Sequence, residues 1–196
     1  MVAFSSQILK FKLTFYVMTE KQVILVNESD ETIGVMDKME AHRKGVLHRA
    51  FSVFIFNSKG EMLLQQRALN KYHSGGLWTN ACCSHPGPGE DTIVAANRRL
   101  KEEMGFQTHL KKIFDFVYRS EFENGLIEHE FDHIFVGEFE RDIVMNREEV
   151  KDFCYKKLDE IRDSLAIQPQ KYTAWFHLAF PKIESWWNHH YQHLPA

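Results

Sequence analysis

The chain has little cysteine, proline or glycine: three, five and ten residues among 196. The cysteine count is odd and Cys82 and Cys83 are adjacent, which excludes a disulfide framework and points to a reducing, cytoplasmic setting. Long apolar runs are missing too. None approaches the roughly 18 residues of a membrane span, so no membrane partner is expected. The first seventeen residues resemble a leader superficially, but Lys10 and Lys12 interrupt the apolar stretch and no small-residue cleavage site follows. Residues 1–20 therefore read as an N-terminal appendage, with Met18 as an alternative start, ahead of a single domain over 21–196. An excess of positive charge is also absent. The net charge is −3, which gives no broad footprint for nucleic acid but leaves room for a local basic pocket. Eleven histidines and sixteen phenylalanines stand out against this background, and a hydrophobic fraction of 44% suffices for one core.

Segments 22–27 and 32–36 flank the polar turn Glu28-Ser29-Asp30-Glu31 and predict a hairpin. Segments 50–56 and 62–66 flank Asn57-Ser58-Lys59-Gly60 in the same way. A loop over 70–89 precedes a helix over 90–104, with Ile93, Ala96, Leu100 and Met104 on one stripe and Gly105 at the C-cap. A second hairpin is expected from 114–122 and 127–139, then a strand over 150–156 and a short helix over 158–166. The aromatic segment 172–193 reads as a helix that Pro181 should kink or break. The fold class is α/β (α+β), a mixed sheet with a central helix and a C-terminal helical extension.

The central helix carries the first chemical signal. From Ser84, Glu90 follows after five residues, then Arg98-Arg99-Leu100 after seven, then Glu102-Glu103 and Gly105-Phe106. The run RRLKEE alone is the usual composition of a solvated helix face. With Glu90, the preceding Gly/Pro loop and Gly105 in register, the pattern resembles the Nudix signature box, which implies a mixed sheet sandwiched by helices. Carboxylates at helical spacing suit a hard divalent ion such as Mg²⁺. Two positions depart from that box: Ser84 stands where Gly is usual, and Arg99 where a glutamate is usual. A cation in place of a metal-binding carboxylate suggests a protein that grips a diphosphate without cleaving it.

The second signal is the loop Trp78-Thr79-Asn80-Ala81-Cys82-Cys83-Ser84-His85-Pro86, with His42 and His48 upstream and Glu128-His129-Glu130 downstream. Residues two apart on a strand share a face, so Glu128 and Glu130 point the same way. Three histidines and two such glutamates make a possible mixed N/O site for Mn²⁺, Mg²⁺, Zn²⁺ or Fe²⁺, although spacing alone does not bring them together. The combination is similar to the type I isopentenyl-diphosphate isomerase family, from about Lys21 to about Trp175. The resemblance implies interconversion of isopentenyl and dimethylallyl diphosphate. It implies Cys83 and Glu130 as catalytic groups on opposite faces of the substrate, with Tyr118 beside the carboxylate. It also implies His42, His48, His85, Glu128 and Glu130 as ligands of a divalent metal, Mn²⁺ first with Zn²⁺ or Mg²⁺ as alternatives. A Mg²⁺ would be held by substrate diphosphate, Glu103 and the Cys83 main-chain carbonyl. Lys38, Arg67, Lys71 and Arg99 would bind the diphosphate, and Trp175 would face the hydrocarbon. His42 and His48 are one residue closer than in the bacterial members, and Ser74-Gly75-Gly76 departs from their Trp-Pro-Gly.

The chemistry asks for these groups. An alkene is a weak base, and its isomerisation adds a proton at C4 and removes one from C2. A general acid and a general base must therefore flank the reacting carbons. Cys83 as base needs thiolate character, which nearby Lys and Arg would favour. Which of the two gives and which takes is open at this stage. An indole such as Trp175 offers a cationic intermediate electron density of roughly 2 kcal/mol when dry. The partner is then a small molecule acting on a monomer or weak homodimer. A Nudix hydrolase of another diphosphate and a non-catalytic Nudix-like binding module are the competing readings.

Overall fold

The computed structural model describes residues 22–191; the appendage, Met18 and His193 lie outside the described residues. The elements in order are β1 (Gln22–Val26), β2 (Thr32–Asp37), α1 (Lys38–Lys44), β3 (His48–Phe56), β4 (Met62–Arg67), β5 (Trp78–Thr79), β6 (Cys82–Ser84) and α2 (Thr92–Met104). They continue with β7 (Lys111–Glu121), β8 (Ile127–Glu138), β9 (Val150–Lys156), α3 (Leu158–Ile167), a 3₁₀ turn (Pro169–Lys171) and α4 (Ala174–Tyr191).

β3 organises the sheet. It pairs antiparallel with β1, β4 and β6 and parallel with β8, while β7 extends β8 and β9 extends β4. Its sequence AFSVFIF is apolar on both faces because both faces are covered. Phe51, Val53 and Ile55 pack with Ala95, Ala96, Leu100 and Met104 of α2. Phe54 and Phe56 pack with Ile161 of α3 and with Phe176, Phe180 and Ile183 of α4. The sandwich of helices around a mixed sheet is as expected.

Several local features differ from expectation. Helix α1 was not anticipated: Asp37 Oδ1 accepts the Glu40 amide at its start, and Gly45, at φ 61°, closes its end. Two short strands, β5 and β6, lie within the segment read as a loop. Helix α2 begins at Thr92 with Asp91 capping Ile93 and Val94, so Glu90 is in the preceding turn. Ile93 is exposed, and Ala95 takes its place against the core. Gly105 caps α2 at φ 81°, and a Cβ there would meet the Val144 carbonyl oxygen at 2.2 Å, so only glycine fits. Helix α4 runs through Pro181 without a break. Proline costs about 3 kcal/mol inside a helix, but this one lies on the exposed face while Phe176, Ala179, Phe180 and Ile183 bury the other.

Candidate active site

Sheet register assembles the site. The parallel β3–β8 pairing sets His48 opposite Glu130, β7–β8 sets Tyr118 opposite Glu130, and β3–β6 sets Ser52 opposite Cys83. His42 sits in the last turn of α1, and the Gly45 turn returns the chain to His48, leaving the two rings 4.9 Å apart. The shorter His42–His48 spacing is therefore absorbed by a helix cap and keeps His48 in the cluster.

His42, His48, His85 and Glu130 each offer a ligand atom within 4.8 Å of the others, and His42, His73 and Glu128 form a second such group. His85 Nε2 lies 2.9 Å from Glu130 Oε1 and 3.2 Å from His48 Nε2. His42 Nδ1 and His48 Nδ1 contact the Lys38 and Val46 carbonyls at 2.7 and 2.8 Å, which aims their Nε2 atoms into the cluster. Burial lowers His42 to about 4 and His85 and His73 to about 3, so these rings are neutral and have lone pairs to give. His42 Nε2, His73 Nε2 and His85 Nδ1 are buried without a hydrogen-bond partner. Unpaired buried nitrogens beside carboxylates are costly unless a cation joins them, and this donor set fits a divalent metal. His73 was left without a role by sequence reasoning, because nothing in its spacing links it to the other histidines.

The two carboxyls of β8 divide their charge. Burial and the Glu130 charge push Glu128 well above the usual carboxylate range. Burial would raise Glu130 too, but His85 and His48 outweigh it and hold that carboxyl well below the range. The Tyr118 hydroxyl donates to Glu130 Oε2 at 2.6 Å and lies 3.2 Å from Glu128 Oε2, bridging the pair. Burial keeps this phenol protonated.

Across the cavity, Cys83 Sγ donates to Asn80 Oδ1 at 2.9 Å and accepts from Trp175 Nε1 at 3.1 Å and Ser52 Oγ at 3.5 Å. The Asn80 amide is fixed in turn by the Val53 and Cys82 carbonyls. Burial first, then Asp132, push the Cys83 thiol up to about 12. The expected thiolate is thus not what the fold builds: Arg67 acts in that direction but burial outweighs it. Asp132 was missed from the sequence; its Oδ2 meets Ser52 Oγ at 2.8 Å, and burial raises its carboxyl well above the usual range. Cys82 is fully buried in the core and Cys154 packs at its edge, as expected. Trp175 is buried with Arg67 over its ring at 5.2 Å.

Cys83, Glu130, Tyr118, Trp175, Arg67 and Glu103 line one cleft. Its mouth adjoins a polar cleft lined by Lys38, Lys71, Arg99, Ser84, His85 and Glu149. The four expected cations do converge, with Arg67 deepest. Glu149, also missed, ion-pairs with Lys71 and lies 3.5 Å from Arg99.

The box glutamates do not converge on one point. Glu90 is held by Arg98 at 2.8 Å, and Glu102 by Arg99 at 2.8 Å and Arg98 at 3.2 Å. Glu103 alone of the three reaches the cleft, bonded to Arg99 at 2.7 Å and Gln65 at 3.1 Å. Each of the three carboxylates is paired with a guanidinium.

A NUDIX domain family model matches residues 46–176. An isopentenyl-diphosphate Delta-isomerase of Pectobacterium atrosepticum is 51% identical over 166 residues, covering 85% of this chain and 93% of that protein. One from Burkholderia multivorans is 51% identical over 158 residues, covering 81% and 90%. Among solved structures, a Deinococcus radiodurans protein superposes with a TM-score of 0.63 at 19% identity, covering 75% of this chain and 90% of that one. A MutT protein from Methanosarcina mazei gives 0.58 at 20%, covering 71% and 94%. These structural likenesses concern the fold.

Proposed function

The chain belongs to the NUDIX-domain family of isopentenyl-diphosphate Delta-isomerases, and from that premise we propose that it interconverts isopentenyl and dimethylallyl diphosphate by proton addition and removal at the allylic carbons. The observation that carries the reading is the cleft itself. Two proton-handling groups, Cys83 and the Glu130–Tyr118 pair, line it together, and three cations stand at its mouth. Lys38, Lys71 and Arg99 receive the diphosphate, and Arg67 reaches its inner end. Binding energy gained there, away from the reacting carbons, holds the alkene between the two proton-handling groups.

The protein holds one proton on each side. The Cys83 proton points to Asn80 Oδ1, and Ser52 and Trp175 place donors at the sulfur that would support it once that proton has left. On the other side the Tyr118 hydroxyl donates to Glu130, with Glu128 behind it. One side gives while the other takes, and the reversible reaction uses both directions. The buried Trp175 indole offers its face to a cationic intermediate.

His42, His48, His85, Glu128 and Glu130 would hold a divalent ion, Mn²⁺ by the mixed donor set with Zn²⁺ or Mg²⁺ as alternatives. Glu103 and the Cys83 carbonyl would hold Mg²⁺ together with the diphosphate. When bound, such ions orient the carboxylates and neutralise phosphate charge. The enzyme works as a cytoplasmic monomer or weak homodimer, its domain spanning 21–196. No helix of the described residues is long and apolar enough to cross a membrane.

The test is incubation of the metal-loaded protein with isopentenyl diphosphate in D₂O, followed by NMR. Dimethylallyl diphosphate carrying deuterium is expected. Released phosphate without isomer would instead mark a diphosphate hydrolase, and binding without turnover a non-catalytic module.

A further inference from the structure

Among the described residues that line the outer, polar cleft, Glu149 is the one acid. Lys38, Lys71, Arg98 and Arg99 line it too, so the Glu149 charge opposes any anion that enters. Its place is fixed by the backbone. The Glu149 amide donates to the Asn146 carbonyl at 3.0 Å, and the Ala68 amide donates to the Glu149 carbonyl at 3.0 Å. The Asn146 amide donates in turn to the Glu103 carbonyl of α2 at 2.8 Å. The turn over 146–149 is thus clamped between α2 and the segment 68–71 that carries Lys71. The half-buried Glu149 carboxylate pairs with Lys71 and lies 3.5 Å from Arg99. Burial acts to raise its pKa, but Lys71 and then Arg99 outweigh burial and hold the carboxyl below its ordinary range.

A carboxylate here could aim the cations or compete for them, and Arg99 separates the two roles. Its guanidinium is already aimed within its own helix, by Glu102 at 2.8 Å and Glu103 at 2.7 Å. Glu149 is the third carboxylate around it and the most distant. What Glu149 adds is negative charge where phosphate oxygens would bond. Lys38, Lys71 and Arg99 stand close together, and a resident counter-ion relieves their mutual repulsion between turnovers. We propose that Glu149 is a built-in competitor for the diphosphate: it neutralises Lys71 and Arg99 between turnovers, yields them to the incoming anion and takes them back as product leaves. The inference rests on the isomerase reading for the identity of that diphosphate and adds to it a residue that limits affinity. Weakening substrate and product alike raises KM, spares the chemical step and hastens release.

Calorimetric titration of the full chain with sodium pyrophosphate in magnesium-free buffer tests this. Glu149→Gln keeps the shape of the side chain and removes its charge. It should bind pyrophosphate at least about tenfold more tightly than wild type, because a charge-assisted bond no longer has to be broken. Glu148→Gln, exposed one residue away, should match wild type. With isopentenyl diphosphate, Glu149→Gln should lower KM without raising kcat. Damage to the fold does not tighten binding, so the sign of the change is diagnostic. Glu149→Asp draws the charge back from both cations and should shift affinity the same way, which decides the matter even if Glu149→Gln does not fold. Unchanged or weaker pyrophosphate binding in these variants, with wild type binding it, overturns the competitor role and leaves the isomerase reading standing. Tighter binding in the variants without isomerisation by wild type upholds the competitor role and overturns the isomerase reading. Absence of pyrophosphate binding in wild type and variants overturns both.

Discussion

The molecule contains two acidic clusters built from similar residues, and they end in opposite states. At α2, Glu90, Glu102 and Glu103 face Arg98 and Arg99, and each carboxylate has a guanidinium within 2.9 Å. Burial and the Glu90 hydrogen bonds act against each other on the box: Glu90 ends below its ordinary range because Arg98 and the Gly87 amide outweigh the desolvation. On β8, Glu128 and Glu130 face histidines whose burial keeps them neutral, and three imidazole nitrogens stay unpartnered. One cluster is paired with its own cations and only Glu103 of it reaches the cleft; the other keeps buried nitrogens open to a cation from outside. An acidic pattern in a sequence therefore does not locate a metal. What matters is which carboxylates the fold leaves without an internal counter-charge.

The comparison can be broken most severely at the open cluster and its opposing thiol. Cys83→Ala and Glu130→Gln should each lower kcat by about 10³-fold or more, because each removes a proton-handling group. Cys82→Ala, in the core, should stay within about twofold; an active Cys83→Ala enzyme would falsify the assignment. Next, His42→Ala removes the nitrogen shared by both ligand groups, and zinc affinity measured by calorimetry should fall on the order of 10²-fold. Arg99→Gln loses a phosphate-directed charge and should raise KM for isopentenyl diphosphate by about 10-fold or more, a charge-assisted bond being worth roughly 1.5–3 kcal/mol.

Acid should destabilise the histidine cluster. The folded values of about 4, 3 and 3 for His42, His73 and His85 lie below the ordinary 6.5. The unfolded chain then takes up protons first as pH falls, so stability is unaffected by them above 6.5 and is lost progressively between 6.5 and about 3. Denaturant titration of the metal-free protein should show that loss, and His73→Phe should blunt it. The smallest effect is expected at Glu102→Gln. Its pairs with Arg98 and Arg99 are partly solvated, so stability should fall by about 1 kcal/mol or less and turnover should change within about twofold. A large loss of turnover there would mean that Glu102, like Glu103, serves the metal.

Much of this was legible in the residues. The alternating and continuous apolar runs marked β3, β4 and β8, and Gly105 marked the end of α2. The paired glutamates of β8 needed only the two-residue period of a strand. The resemblance carried by WTNACCSHP, the histidine pair and GLIEHE pointed to Cys83 and Glu130, which line one cleft. Other features were not legible. Helix α1 is seven residues long, too short for periodicity to reveal, and its existence depends on Asp37 and Gly45 as caps. The continuity of α4 through Pro181 depends on packing against α3 and the sheet. Asp132, Glu149 and His73 carry no local signature at all, because their partners Ser52, Lys71 and Glu128 are 80, 78 and 55 residues away.

By itself the sequence determined the periodicities, the caps, the motif residues and the family. Protonation and pairing were decided by the tertiary structure. The cations expected around Cys83 in the site suggested a thiolate, whereas burial beside Asp132 keeps the thiol. Carboxylates at helical spacing suited a divalent ion, whereas the fold pairs Glu90, Glu102 and Glu103 with Arg98 and Arg99. Both outcomes have the same physical reason. A side chain's chemistry is set by desolvation and by the groups within a few ångströms of it, and the register of β3 against β6 and β8 decides which groups those are.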